Sequence, residues 1–315
     1  MNTTNCPLKT HKPVLLKPSL EALDLKPDGF YIDCTLGEGG HSIEIFKKLS
    51  TNGTLLSIDQ DQEAIRFVKE YYPKETAASN WIIVNENFEK IETILENLTV
   101  KSAESSKKVL PADKVPDGII ADLGLSSRQL EIETRGFSYL EHEQPLDMRM
   151  DERLSIKAND LLLGLTEFEL EKLLRTYGEE RYAKSIARMI KKETEADGVA
   201  TVGDLVKIIY KALPSKNLAA QRKHPARRVF QAIRIAVNDE LHSLENLLES
   251  SKRILKPGGK LVVITFHSLE EKIVKKFIKK YNLDDYKILV PDEAELAENP
   301  RASSAKAYDI SLSGS

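Results

Sequence analysis

The sequence has only two cysteines, Cys6 and Cys34, in 315 residues, too few for a disulfide framework or a cysteine-rich zinc site. No apolar run approaches the roughly 18 residues that cross a bilayer, and the longest stretches, such as residues 261–266, are strand-sized. The first twelve residues are polar and carry no apolar stretch, which argues against a secretory leader. Positive charge is not in excess: 46 Lys and Arg stand against 49 Asp and Glu, a net charge of −3. A protein that coats nucleic acid over its whole surface would be basic, so an RNA or DNA partner has to be met by a local patch. The six histidines (His11, His41, His142, His224, His242 and His267) show no metal-ligand spacing, and no Gly-Lys-Ser/Thr phosphate loop occurs. These absences predict a cytoplasmic protein with no membrane segment and no metal in its chemistry.

What is present is an ordinary soluble mixture, 41% hydrophobic and 30% charged, long enough for two domains or one domain with a large insertion. Residues 30–35 form a short apolar run followed by Gly37, Gly39 and Gly40, and then by a helical pattern over 42–49. Further apolar runs at 54–58, 81–84 and 118–121 alternate with helical patterns at 62–70 and 88–97. Strand, glycine turn, helix and strand again is the grammar of a parallel sheet covered by helices. Residues 99–114 are polar, rich in Ser and Lys, and read as a surface loop. The alternation then stops for about a hundred residues, in which four helical patterns (158–163, 167–177, 181–192 and 202–213) follow one another. It resumes with a long helix over 229–254, the turn Lys256-Pro257-Gly258-Gly259, a strand over 260–266, a helix over 269–281 and a strand over 286–290 that closes the sheet. The tail after Pro291 reads as irregular. This predicts an α/β, Rossmann-like fold with a mostly parallel sheet made of residues 1–124 and 226–315, and an inserted all-helical domain over 125–225.

The glycine turn lies where the first strand hands over to the first helix, and glycine there lets a ligand approach the backbone. Asp59 ends the second strand about 20 residues later, where an acid in such folds holds ribose hydroxyls. Together they predict an adenosine site at the carboxyl edge of the sheet; the plain alternative is a tight turn beside a solvated acid. A dinucleotide fingerprint would want Gly or Ala where Ser42 stands. Asp33-x-x-x-Gly37-x-Gly39 instead resembles the first motif of class I S-adenosylmethionine methyltransferases, and Lys256-Pro257-Gly258-Gly259 resembles another recurrent feature of that group.

A narrower resemblance covers residues 11–306. His11-Lys12-Pro13-Val14-Leu15-Leu16, Thr35-Leu36-Gly37-Glu38-Gly39-Gly40-His41-Ser42, Asp122-Leu123-Gly124-Leu125-Ser126-Ser127, Pro145-Leu146-Asp147-Met148-Arg149-Met150-Asp151 and Phe266-His267-Ser268-Leu269-Glu270 resemble the bacterial 16S rRNA cytosine-N4 methyltransferases. The resemblance implies S-adenosylmethionine as methyl donor and N4 of a decoding-region cytidine (cytidine 1402) of 16S rRNA, in the small subunit, as acceptor. It also implies cofactor contacts at Gly37, Gly39, Gly40, His41, Asp59, Phe88, Asp122 and Gln129. The chain departs from the family at Arg128, where Pro is common, and at Glu143-Gln144, where Asp-Gly often stands.

The exocyclic amine of cytosine is a weak nucleophile, so alignment with the methyl group and an acceptor for its protons carry the reaction. The Asp/Asn/Ser-Pro-Pro-aromatic motif of amino methyltransferases is replaced here by Asp122-Leu123-Gly124-Leu125. Asp122 is the best acceptor candidate, with Ser126 and His267 behind it, and no general base is assigned. Residues 216–228 hold Lys216, Arg222, Lys223, Arg227 and Arg228 and no acid, a candidate RNA-binding patch or merely a solvated face. Phe137 and Tyr139 are candidates to stack on an unstacked target base, or core residues. The chain is expected to act as a monomer or homodimer. Two rival readings are a nicotinamide oxidoreductase, which Ser42 opposes, and a non-catalytic ribosome-assembly factor, which Gly39, Asp59 and Asp122 oppose.

Overall fold

The computed structural model describes residues 12–100, 110, 114–131, 134–196, 198–214 and 224–312. The chain divides into two compact units, one made of Met1–Gly124 and Ser243–Ser315 and the other of Leu125–His242.

The first unit is built on seven strands: β1 (Phe30–Asp33), β2 (Thr54–Asp59), β3 (Trp81–Asn85), β4 (Gly118–Asp122), β5 (Gly259–Thr265), β6 (Tyr286–Leu289) and β7 (Lys306–Leu312). Their order is β3-β2-β1-β4-β5-β7-β6. The five strands from β3 to β5 pair in parallel, while β7 runs antiparallel to both β5 and β6. Successive side chains point to opposite faces, so the apolar runs feed two cores. Phe30, Ile32, Ile119 and Val263 enter one core; Tyr31, Leu55, Ile120 and Val262 enter the other.

Three expectations are corrected here. The tail after Pro291 is ordered: it forms the helix Glu293–Glu298, the turn Pro300–Ser304 and β7. The strand over 286–290 does lie at the edge of the sheet, as β6, but it is not the final strand, because β7 follows it and pairs between it and β5. The long helix over 229–254 is two helices, Arg227–Asn238 and Glu240–Ile254, parted at Asp239, whose φ of 49° is left-handed. A short helix, Leu16–Ala22, also precedes β1, with no periodic apolar pattern to announce it.

The turn Lys256-Pro257-Gly258-Gly259 has a clear structural task. Gly258 has φ 77° and donates to the Leu312 carbonyl at 2.8 Å, Gly259 donates to the Lys256 carbonyl at 2.8 Å, and the Lys256 ammonium pairs with Asp117. It starts β5, so it lies at the opposite end of the parallel strands from Asp33, Asp59 and Asp122. Its recurrence is explained by sheet assembly rather than by ligand contact.

In the second unit, the described regular elements are the helices Ser127–Glu131, Ala158–Gly164, Glu167–Gly178, Ala183–Ala196, Val202–Ala212 and Arg227–Asn238. Its core includes Leu170, Leu174, Ile186, Ile190, Ile209, Phe230 and Ile233. The helix Arg227–Asn238, assigned to the sheet domain from sequence, belongs here, moving the boundary from 225 to 242. Asn238 fixes it to the Pro-Leu-Asp-Met-Arg loop: its amide donates to the Met148 carbonyl at 2.8 Å and its oxygen accepts from Met150 N–H at 2.7 Å. Met148, buried with φ 59°, is held in that strained conformation by these bonds and by Arg135, whose guanidinium donates to the Arg149 and Met150 carbonyls at 3.0 Å each.

Candidate active site

The carboxyl ends of β1, β2 and β4 gather three acids, Asp33, Asp59 and Asp122, around the glycine turn. Gly37 and Gly39 have φ of 51° and 81°, the left-handed region that glycine enters without strain. A Cβ at Gly37 would meet nothing closer than the Thr35 carbonyl at 3.9 Å, so the turn is open on that side. Gly40 is glycine for a different reason, since a Cβ there would collide with the Pro13 ring.

Asp59 holds the turn in place. Its carboxylate accepts from Gly37 N–H at 2.8 Å through one oxygen and from Asp61 N–H at 2.8 Å through the other. Burial outweighs these two bonds and pushes its pKa up to about 7. Asp33 is fully buried and structural: it accepts from Thr35 N–H at 3.0 Å and from the Ser42 hydroxyl at 2.6 Å. The Ser42 oxygen lies 2.7 Å from that of Ser57, which accepts from the Trp81 indole at 2.9 Å. The residue that breaks the dinucleotide fingerprint thus belongs to a buried chain of hydrogen bonds behind the turn.

Asp122 and His41 stand together although 81 positions separate them in sequence. His41 Nδ1 is 3.7 Å from Asp122 Oδ2. The imidazole is buried, bonds to the Val14 carbonyl, and burial lowers its pKa to about 4, so it is neutral. Its Nε2 and Asp122 Oδ1 are both buried and both without a hydrogen-bond partner. Burial, joined by the charges of Asp33, Glu270 and Glu295, holds the Asp122 carboxyl well above the usual carboxylate range. The main chain of Asp122 is pinned by its N–H donating to the Thr35 hydroxyl at 2.7 Å. Glu270 stands in the Phe266–Glu270 motif without a role assigned from sequence, and Glu295 lies in the tail read as irregular and accepts from Leu15 N–H at 2.6 Å.

Phe88 opens the turn Phe88–Lys90 after β3 and is partly buried against the core. The loops after β2 and β3 are knitted by Asn85, whose amide donates to the Asp59 carbonyl at 2.9 Å. His267 is the N-cap of the helix Ser268–Lys280, in a reciprocal arrangement with Glu270, and so has a structural task. Gln129 and Ser126 belong to the second unit: Gln129 N–H donates to the Ser126 hydroxyl at 3.1 Å, and Ser126 N–H donates to the Gln129 side chain at 3.1 Å. Arg228 is exposed and Arg227 half-buried in the same unit; Lys216, Arg222, Lys223 and His11 lie outside the described residues, as does most of 99–114. Phe137 is a core residue of the second unit. Tyr139 is partly buried, its ring stacked on His224 at 4.4 Å. Among the described residues, no group of three or more His, Cys, Asp or Glu is arranged to hold a metal ion, and no helix is long and apolar enough to cross a membrane.

A parallel sheet in this strand order, with an antiparallel β7 set between β5 and β6, is the class I methyltransferase fold. Within it the chain belongs to the MraW methylase family, whose model matches residues 9–287. It is 42% identical to the ribosomal RNA small subunit methyltransferase H of Mesoplasma florum, over 96% of this chain and 99% of that protein. Among solved structures it is similar to an rRNA methylase from Streptococcus thermophilus (TM-score 0.43, 8% identity, 94% of this chain and 95% of that one). It is also similar to an S-adenosylmethionine-dependent O-methyltransferase from Thermotoga maritima (TM-score 0.43, 9% identity, 97% and 68%).

Proposed function

We propose that the protein methylates N4 of a cytidine in the decoding region of 16S rRNA, cytidine 1402, in the small ribosomal subunit, with S-adenosylmethionine as donor. The resemblance to the Mesoplasma florum enzyme over nearly the whole of both chains supports ribosomal RNA of the small subunit as the substrate, and the resemblance of the motifs to the 16S rRNA cytosine-N4 methyltransferases supports the position. The sheet edge fits the donor: an open glycine turn for close approach, an acid after β2 for ribose hydroxyls, and an acid after β4 with one oxygen unpartnered. No phosphate has to be held, in keeping with a turn that lacks the phosphate-binding lysine.

In this reading Gly37, Gly39 and Gly40 form the floor of the site, Asp59 accepts from the ribose, and Phe88 packs on the adenine. His41 and Asp122 face the methionine part. The bound donor supplies an electrophilic methyl group. The protein's work is then to exclude water, to hold the amine in line with that methyl, and to accept an amine proton. Asp122 is the acceptor we assign. A carboxyl held above its ordinary pKa is a better base than a surface aspartate once it is ionised. The helical unit, with Arg227 and Arg228, takes the rRNA backbone, and the target base leaves its stack to reach the sheet edge.

The test incubates purified protein with small subunits lacking the modification and with labelled S-adenosylmethionine, then maps the product nucleoside by mass spectrometry. Label on N4 of that cytidine is expected. Label on another base, on protein, or nowhere overturns the assignment.

A further inference from the structure

The two ends of the chain meet beside the glycine turn, within the sheet unit. Residues 12–15 lead into the helix Leu16–Ala22 and lie against the start of the helix Gly40–Lys48. The Pro13 ring fills the space where a Cβ of Gly40 would stand, and the Val14 carbonyl is the backbone hydrogen-bond partner of the His41 imidazole. The tail grips this segment at three points. Glu295 Oε1 accepts from Leu15 N–H at 2.6 Å, the Asn299 amide donates to the Lys12 carbonyl at 3.3 Å, and the Lys12 ammonium pairs with Glu298 at 2.9 Å. The three grips are unequal. Lys12 and Glu298 are both more than half exposed, so their ion pair adds little. Glu295 is half-buried and meets a fully buried leucine whose φ of 53° is left-handed, a conformation that a side chain bearing a Cβ keeps only when its surroundings hold it.

On the reading that this edge binds S-adenosylmethionine, we propose that Glu295 is a positioning residue for the donor: it holds residues 12–15 as a strap against Gly40 and His41, and so fixes the part of the site that takes the methionine end. Glu295 acts through Leu15 and the two residues before it, not by contact with the donor. The positioning is done by the hydrogen bond and not by the charge, because an amide N–H needs an acceptor oxygen and a neutral one serves. The strap meets Gly40 and His41, whereas ribose and adenine fall to Asp59 and Phe88 after β2 and β3. Loosening the strap therefore weakens the hold on the amino-acid end of the ligand and spares the nucleoside end. A residue in the last tenth of the sequence thereby tunes a site built from the first half.

Calorimetric titration of the full-length protein with two probes separates the ends of the ligand: S-adenosylhomocysteine, and 5′-methylthioadenosine, which keeps adenine and ribose but lacks the amino acid. Glu295→Ala is expected to bind S-adenosylhomocysteine about tenfold more weakly and 5′-methylthioadenosine within about twofold of the unaltered protein. Glu295→Gln keeps an acceptor oxygen at the same reach and removes the charge, and it is expected to bind both probes as the unaltered protein does. Pro13→Ala leaves the tail intact and empties the space beside Gly40, so it tests the strap even where Glu295→Ala fails to fold; it is expected to weaken S-adenosylhomocysteine about threefold. Unchanged S-adenosylhomocysteine affinity in either alanine variant overturns the proposal. Equal weakening of both probes does so too, since it marks a general loss of structure, as does a Glu295→Gln as weak as Glu295→Ala, which assigns the effect to charge. Absence of binding of both probes to the unaltered protein overturns the methyltransferase site itself, a distinct result.

Discussion

Ser42, in the helix that follows the glycine turn, ties that helix to the strands behind it. Its hydroxyl meets both Asp33 on β1 and Ser57 on β2, and through Ser57 the Trp81 indole on β3. Replacing it by alanine leaves a buried aspartate oxygen without its donor, and Ser42→Ala is expected to cost about 1–3 kcal/mol in urea unfolding. Asp122 behaves in the opposite sense. Its folded-state pKa lies above the unfolded one, so the folded protein binds more protons over the interval between them. Stability from this group is therefore greatest at low pH and is lost as pH rises through that interval. Asp122→Asn, which removes the uncompensated charge, should raise the melting temperature relative to the unaltered protein at about pH 8 and have little effect at about pH 4, a thermal-melt comparison. Gly37, Asp59 and Asp122 could be picked out in the sequence because each ends a recognisable apolar run. The pairing of His41 with Asp122 could not, since only the sheet register brings their elements side by side.

Among the elements, β7 joins the parallel part of the sheet to its edge strand. It pairs along seven positions with β5 and four with β6, and it places Tyr308 fully buried with its hydroxyl 3.4 Å from Glu271. Tyr308→Ala is expected to cost about 3–5 kcal/mol, read by chemical denaturation, as for other large aromatic truncations in a core. The parallel strands were legible as unbroken apolar runs because both faces of that part of the sheet are covered. β7 was not, because Lys306, Asp309 and Ser311 interrupt it; its burial alternates, and the polar positions are absorbed by partners such as Glu271 and Lys260. The break at Asp239 was hidden for a different reason. Neither glycine nor proline marks it, and an aspartate takes the left-handed turn.

For the whole molecule, the two units differ in how the chain supplies them. Leu125–His242 is one continuous segment with its own apolar core, whereas the sheet unit is assembled from two segments far apart in sequence. Residues 125–242 expressed alone are therefore expected to melt cooperatively by circular dichroism, while residues 1–124 alone, which lack β5, β6 and β7, should not. The helical block was visible in outline because four amphipathic patterns follow without an intervening strand. Its true end was not, because the helix Arg227–Asn238 carries the same amphipathic signature whichever unit it joins. Only its packing, through Asn238 and the Met148 loop, assigns it.

The place of β7 between two earlier strands has a consequence for how the protein is made. While translation has not yet passed residue 312, β6 lacks its one strand partner and β5 presents a bare row of amides and carbonyls along one side. Until then the nascent chain carries an incomplete edge, open to mispairing or to a chaperone, and the seven-residue β7 acts as the latch that ends the exposure of β5.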